Sequence, residues 1–123
     1  MNIIKLENIR PVDIDNCLII HTKETIKPSQ RVCVVDPLTG KNLYFRINKP
    51  MVRLLKEEHH RGSYILVWSR GGWEWARNVI QALDLVPYVH QIMSKPLVYL
   101  DDTPVNKWMR DRVFIGPDET YKE

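Results

Sequence analysis

The sequence predicts a single α/β domain with a Rossmann-like, mostly parallel sheet flanked by helices. Residues 64–69 and 97–100 are continuous apolar runs, which are typical of strands buried on both faces of a parallel sheet. Segments with helical spacing of apolar residues alternate with such runs along the chain. The whole chain, residues 1–123, has the length and the apolar content of one globular domain.

Three elements are predicted in the first half of the chain. Residues 8–12 form the first strand, although Arg10 and Pro11 interrupt its apolar pattern. Residues 31–47 form a β-hairpin, because apolar residues alternate on both sides of a Pro-Leu-Thr-Gly turn. Residues 49–61 form a helix with an apolar face and a glycine directly after its end.

The next two elements repeat the order of strand and helix. Residues 64–69 form a central strand that ends in a hydroxyl-bearing residue. Gly71 and Gly72 then open a helix. Apolar residues at helical spacing are expected to form its buried face, namely Trp75, Ala76, Val79, Ile80 and Leu83.

The last third of the chain is predicted to contain three short strands and a short helix. The second of these strands leads directly into the acidic pair Asp101-Asp102. The strands cover residues 88–93, 97–100 and 112–116, and the helix covers residues 104–110.

Composition excludes several classes of protein. The net charge of +3 is too small to indicate a nucleic-acid-binding protein by itself. No apolar run reaches the ~18 residues of a membrane span, so we expect no membrane partner, and the charged N-terminus does not predict a signal peptide. Cys17 and Cys33 are expected to be free thiols in a reducing, cytoplasmic location.

Polar and charged residues stand where the predicted strands end. In a parallel sheet the carboxyl ends of the strands lie at one edge, where functional groups gather. Four carboxylates, one hydroxyl and one ammonium group are expected to meet there, namely Asp13, Asp15, Ser69, Lys95, Asp101 and Asp102. Four carboxylates in one crevice repel each other unless a cation lies between them, and oxygen ligands favour Mg²⁺. The sequence therefore predicts a Mg²⁺ site at this edge.

Four short motifs in this order resemble those of the haloacid dehalogenase superfamily of phosphohydrolases. The first motif, DxDx(T/V)L, is matched by DIDNCL at residues 13–18. The second, an apolar strand that ends in Ser or Thr, is matched by ILVWS, which ends at Ser69. The third is a lysine, matched by Lys95 in a Lys-Pro pair, and the fourth is an apolar strand with an acidic pair, matched by LVYLDD at residues 97–102. The resemblance covers residues 9–116, approximately.

The resemblance implies a role for each residue at the sheet edge. Asp13 would be the nucleophile that attacks phosphorus and forms an aspartyl-phosphate. Asp15 would be the general acid and base, which protonates the leaving oxygen and then activates the hydrolytic water. Ser69 would donate a hydrogen bond to a phosphoryl oxygen, and Lys95 would neutralise the charge of that group.

The resemblance also implies the rest of the phosphoryl site. Backbone N–H groups of Arg70 and Gly71 would bind phosphoryl oxygens close to the start of a helix. The intervals from Cys17 to Ser69 and from Ser69 to Lys95 are too short to hold an inserted cap domain, so the chain resembles the capless members, with the 31–47 hairpin as a small flap. The Mg²⁺ ligands would be Asp13, Asp15, Asp101 and Asp102.

The sequence departs from the motifs of the superfamily at two positions, and two other functions are alternatives to the phosphatase. Cys17 stands where the family mostly has Thr, which leaves a catalytically inactive binding module with the same fold as an alternative to the phosphatase. A receiver domain is disfavoured, because Asp36 lies in a turn rather than at a strand end. Lys95 also lies only six residues before Asp101.

The sequence leaves the phosphorylated substrate open. Nucleotides, sugar phosphates, phosphopeptides and nucleic-acid ends all remain candidates, so nucleic acid is a candidate partner. Trp73 is expected to pack in the protein interior, with stacking on a substrate base or sugar as the alternative.

Overall fold

The computed structural model describes residues 5–109 and 113. It has mixed α/β structure, with two three-stranded sheets. Two single turns of 3₁₀ helix, at residues 28–30 and 86–88, connect larger elements. The strands and helices are β1 (Lys5–Val12), β2 (Ile19–Ile20), β3 (Arg31–Val35), β4 (Asn42–Ile47), α1 (Lys49–His60), β5 (Ser63–Ser69), α2 (Trp73–Ala82), β6 (Gln91–Ser94) and α3 (Val105–Trp108).

The first sheet is parallel and has the strand order β1-β5-β6. The central strand β5 carries the apolar run YILVW, and its alternate residues Ile65 and Val67 are fully buried. Within the described residues β1 pairs only with β5, so β1 lies at an edge of the sheet. An edge strand accepts proline, which explains how Pro11 and the exposed Arg10 fit in a strand.

The second sheet is antiparallel and has the order β2-β4-β3. The predicted 31–47 hairpin forms its larger part. Val32, Val34 and Phe45 are buried and belong to the main hydrophobic core, so one face of the hairpin packs against the rest of the protein. The Asn78 side chain on α2 donates a hydrogen bond to the carbonyl oxygen of Val35, at 2.9 Å, which joins the hairpin to the helix.

The two longer helices bury the faces that their apolar spacing predicts. On α2, the side chains of Trp75, Ala76, Val79 and Ile80 are buried. Leu83 follows the helix and is half-buried. On α1, the buried side chains are Met51 and Leu55. No helix among residues 5–109 is long and apolar enough to cross a membrane.

The predicted strand at residues 97–100 is wrong. These four residues lie outside any strand, and each of them is half or more exposed. A further parallel strand beside β6 needs a crossover of about a dozen residues or more, because the chain must first return to the end of the sheet where the strands begin. Only Lys95 and Pro96 separate β6 from residue 97, so this segment cannot enter the sheet as a parallel neighbour of β6.

The other elements near the end of the chain differ less from their predicted positions. The strand predicted at 88–93 is β6, which begins and ends slightly later, after a turn of 3₁₀ helix. The helix predicted at 104–110 is the short α3. The strand predicted at 112–116 lies outside the described residues, except for residue 113.

His90, the residue directly before β6, is joined to β5 by two hydrogen bonds. Its backbone N–H donates to the carbonyl oxygen of Ile65, and its ring Nδ1 accepts from the Ile65 N–H, both at 2.9 Å. The ring is stacked between Tyr64, with centroids 4.9 Å apart, and His59, with centroids 5.3 Å apart. Partial burial lowers the pKa of His90, and the neighbouring His59 lowers it further.

We predict that His90 makes the fold less stable in acid. Because its pKa is lower in the folded chain than in the unfolded chain, the unfolded chain binds the proton more strongly, and stability falls as pH drops through about 6.5. His90→Asn keeps a side-chain acceptor for the Ile65 N–H but does not titrate. Urea unfolding at pH 7, 6 and 5 should show a steeper loss of stability in the parent than in this variant. Parallel pH profiles would contradict the prediction.

Candidate functional site

Three chain segments leave the parallel sheet at the edge that is formed by the carboxyl ends of its strands. β1 ends at Val12, directly before Asp13, while β5 ends at Ser69 and β6 ends at Ser94, directly before Lys95. The Lys95 backbone N–H donates to the carbonyl oxygen of Ser69 at 2.8 Å. Its side-chain Nζ lies 3.8 Å from Oδ2 of Asp13. The structure therefore brings Asp13, Ser69 and Lys95 together, at the carboxyl end of the sheet.

Asp13 begins a tight turn that follows β1. Its Oδ1 accepts a hydrogen bond from the backbone N–H of Ile14, at 2.9 Å. The carbonyl oxygen of Ile14 in turn accepts the N–H groups of Cys17 and Leu18, at 3.1 and 3.0 Å. Asn16 has a φ of 57°, a left-handed conformation that asparagine adopts more readily than most residues. Since Ile14 and Leu18 are fully buried, the turn is anchored in the core while the Asp13 carboxylate stays partly exposed.

Asp15 is held by two donors on other elements. Its Oδ1 lies 2.8 Å from Nε2 of His21 and accepts the indole N–H of Trp75 at 3.3 Å. The ring of Phe45 packs edge-on against both His21 and Trp75, with centroids 4.8 and 5.7 Å away. The Asp15 carboxyl group is therefore oriented by the antiparallel sheet and by α2, as well as by its own turn.

His21 and Trp75 are site residues that the sequence did not indicate. Trp75 was expected only on the buried face of its helix, and it is indeed buried. A buried indole N–H seeks an acceptor, and the nearest carboxylate supplies it. That general tendency is the only sequence signal for this contact, because Asp15 and Trp75 lie 60 positions apart in the chain.

Ser69 and the two glycines after it form a compact turn between β5 and α2. Ser69 is fully buried, and its Oγ accepts the backbone N–H of Gly71 at 3.0 Å. A Cβ on Gly71 would lie 3.1 Å from Cδ1 of Trp75, so this position has little room for a side chain. Gly72 has a φ of 102°, which other residues rarely adopt. The backbone N–H of Gly71, which was predicted to bind a phosphoryl oxygen, therefore donates to Ser69 in this structure. Arg70, which lies between these two residues, is exposed.

Lys95 is positioned by contacts on two sides. Its Nζ lies 5.7 Å from the ring centroid of Trp68 on β5, within the range of a cation–π contact. The other contact is the one with Asp13, described above, and the Lys95 side chain stays about one-third exposed. The ammonium group therefore faces both the Asp13 carboxylate and solvent.

Cys17 lies beside Asp13 on the inner side of the turn. Burial raises the pKa of its thiol to about 12, and the negative charge of Asp13 adds to that effect. A hydrogen bond from the Asp13 backbone and the charge of Lys95 act in the opposite direction without offsetting it. The thiol is therefore neutral at every physiological pH. The carbonyl oxygen of Cys17 accepts a hydrogen bond from the buried Asn48 side chain, at 2.8 Å.

The acidic pair Asp101-Asp102 is not brought to the other carboxylates. Both residues are exposed, and they bond mainly within their own segment. Oδ1 of Asp101 accepts the backbone N–H groups of Asp102 and Thr103, and Oδ1 of Asp102 accepts the Thr103 hydroxyl. Among residues 5–109 and 113, no group of three or more His, Cys, Asp or Glu side chains is placed to hold a metal ion. The predicted convergence of four carboxylates is therefore absent from the described residues, because the strand that should deliver the pair is not formed.

Comparison with known proteins assigns no family to the chain. No protein-family model matches it, and no curated protein or solved structure matches it significantly. The chemistry of the site therefore rests on its own geometry.

We predict that the two cysteines differ sharply in reactivity. Cys33 is exposed on β3, whereas Cys17 is partly buried and the pKa of its thiol is raised to about 12. Since the thiolate is the reactive form, iodoacetamide at pH 8 should modify Cys33 and leave Cys17 intact in the folded protein. Peptide mass spectrometry should find one modified cysteine before unfolding and two in denaturant. Rapid modification of Cys17 in the folded protein would contradict its placement in the turn.

Proposed function

We propose that the protein is a phosphohydrolase that removes a phosphoryl group from a phosphomonoester through an aspartyl-phosphate on Asp13. The observation that carries the proposal is the placement of the Lys95 ammonium group 3.8 Å from Oδ2 of Asp13, at the carboxyl edge of the parallel sheet. The proposal includes a Rossmann-like core of the capless haloacid dehalogenase type. The free thiols Cys17 and Cys33 support a reducing, cytoplasmic location for it.

In the first step, an oxygen of Asp13 attacks phosphorus and the bond from phosphorus to the leaving oxygen breaks. The positive charge of Lys95 reduces the repulsion between the carboxylate and the phosphoryl oxygens. Arg70 is exposed after β5 and adds a second positive group near the same edge.

Asp15 moves the protons in both steps. It gives a proton to the leaving oxygen, then takes one from the water that attacks the aspartyl-phosphate and releases inorganic phosphate. The two donors from His21 and Trp75 approach the same oxygen, Oδ1. This arrangement fixes the direction of the carboxyl group and leaves Oδ2 to exchange the proton.

The donor chemistry fits Mg²⁺ in a smaller site than the sequence predicted. In phosphoryl-transfer sites Mg²⁺ takes one or two carboxylates and completes its shell with water and phosphate oxygens. Asp13 would hold it through its carboxylate, which is 41% exposed and follows the end of β1. The Asp15 carboxyl group, predicted as a second ligand, is instead occupied by His21, Trp75 and the exchanged proton. When bound, Mg²⁺ offsets the negative charge of the phosphoryl oxygens.

A binding module without catalysis is the second candidate. Two observations favour it, the absence of a third carboxylate near Asp13 among the described residues and the neutral Cys17 thiol beside the nucleophile. Such a module would bind a phosphorylated partner through the Lys95 ammonium group, because Ser69 is fully buried and its Oγ bonds to Gly71. It would not turn the partner over.

We predict that Asp13→Asn abolishes turnover and leaves the fold intact. The amide is a very weak nucleophile, so hydrolysis of a generic aryl phosphate should fall at least about a hundredfold. Asp84→Asn is the matched control, since Asp84 is exposed and has a φ of 56°, which asparagine also tolerates. Fluoroberyllate mimics a phosphoryl group on an aspartate and should bind the parent but not Asp13→Asn. A parent that neither hydrolyses phosphate esters nor binds the mimic would leave the binding module.

We predict that Mg²⁺ stabilises the protein through Asp13 rather than through the acidic pair. At ~100 times its dissociation constant, a bound ion adds about 2.7 kcal/mol to the free energy of unfolding. Melting curves in Mg²⁺ and in EDTA should differ for the parent and for the double variant Asp101→Asn/Asp102→Asn, but coincide for Asp13→Asn. Loss of the shift in the double variant would instead identify Asp101 and Asp102 as metal ligands.

A further inference from the structure

Trp73 lies beside the candidate phosphoryl site and is not packed in the interior. It is the first residue of α2, and 48% of its surface is exposed. Its backbone N–H donates to Oγ of Ser94 at 3.0 Å, and Ser94 directly precedes Lys95. The packed position expected from the sequence is therefore wrong, and the structure places a large exposed aromatic residue next to the segment that carries the ammonium group.

One face of the indole ring is already in contact with a cation. The guanidinium carbon of Arg77, one helical turn along α2, lies 5.1 Å from the ring centroid of Trp73. At this distance the guanidinium and the ring make a cation–π contact, which restricts the motion of the Trp73 side chain. Arg77 lies over one face of the ring, and about half of the residue is exposed to solvent, so part of its aromatic surface is accessible to a flat ligand.

We propose that the substrate of this site is a phosphorylated nucleoside whose base stacks on the exposed aromatic surface of Trp73. The proposal rests on the function proposed above, since the phosphoryl group would bind at Asp13, beside the Lys95 ammonium group. A nucleotide joins a flat aromatic base to a phosphate, and stacking on an aromatic side chain accepts any base because every base has a π face.

The charges around the ring fit this ligand. Arg70 is exposed three residues before Trp73 and directly follows β5, so its positive charge suits the phosphate end of the ligand. Glu74 is exposed next to Trp73 and reduces the local positive charge. Recognition of the nucleoside therefore depends on the stacking face rather than on charge alone. A free nucleotide and the phosphorylated end of a nucleic acid share this chemistry.

The first experiment compares a substrate that has a base with one that has none. Values of kcat/KM for adenosine 5′-monophosphate and for ribose 5-phosphate are measured in the parent, Trp73→Ala, Trp73→Phe and Trp108→Ala. Trp108 is the matched control, because it is 49% exposed and lies on α3. Trp73→Ala should lower the value for the nucleotide on the order of tenfold and leave that for ribose 5-phosphate unchanged, with partial recovery in Trp73→Phe. Equal effects on both substrates, or none, would overturn the proposal.

A binding experiment separates failure of this inference from failure of the proposed function. Equilibrium dialysis of the same two ligands uses the parent and Trp73→Ala, and needs no turnover. Tighter binding of the nucleotide that depends on Trp73 supports the inference even if no ester is hydrolysed. Hydrolysis of both substrates without preference for the base overturns it and leaves the phosphatase standing.

A further arm distinguishes the two sources of the ligand. Short single-stranded oligonucleotides with a 3′- or a 5′-phosphate are compared with adenosine 5′-monophosphate in the same dialysis. Tighter Trp73-dependent binding of an oligonucleotide identifies a nucleic-acid end as the ligand, and tighter Trp73-dependent binding of the mononucleotide identifies a free nucleotide. Binding of all these ligands that ignores Trp73→Ala overturns the proposal for both sources.

Discussion

The register of the parallel sheet determines where the candidate site forms. Ser69 pairs with Ser94, so β5 and β6 end level with each other, and the Lys95 N–H extends the ladder to the Ser69 carbonyl oxygen. On the other side of β5, Val12 pairs with the residue two positions before Ser69, so Asp13 leaves the sheet at nearly the same level. A shift of β1 or β6 by one residue against β5 would turn the side chains of the shifted strand to the other face of the sheet and separate Lys95 from Asp13.

Elements with a strong local pattern were predictable from the sequence. The apolar run at 64–69, the hairpin at 31–47 and the buried face of α2 each follow from periodicity that persists over a whole element. β1 is less regular, because an edge strand buries less of its surface and tolerates Pro11. The sequence could place Asp13 and Lys95 at the carboxyl ends of the strands, because this prediction needs only the positions of the strands in the chain and their parallel direction.

The remaining features depend on distances that a local pattern does not contain. The run at 97–100 has the composition of a buried strand, but the connection from β6 is too short for a parallel crossover. His21 and Trp75 meet at Asp15 because the hairpin packs on α2, a contact between elements far apart in the chain. Trp73 is the first residue of α2 and is 48% exposed, because the buried part of the helix begins only at Trp75.

The exposed segment 97–100 also has a consequence for the solubility of the protein. Four consecutive apolar residues without a charge among them, two of which (Val98 and Tyr99) have high β-propensity, can pair with the same segment in other copies of the chain and so promote aggregation. Lys95 and Pro96 precede this segment, and Asp101 and Asp102 follow it. Charges and proline in these positions act as gatekeepers, since like charges repel neighbouring copies and proline lacks the N–H that extends a ladder. The acidic pair therefore protects the colloidal stability of the folded chain from its place outside the sheet, whether or not it takes part in any chemistry.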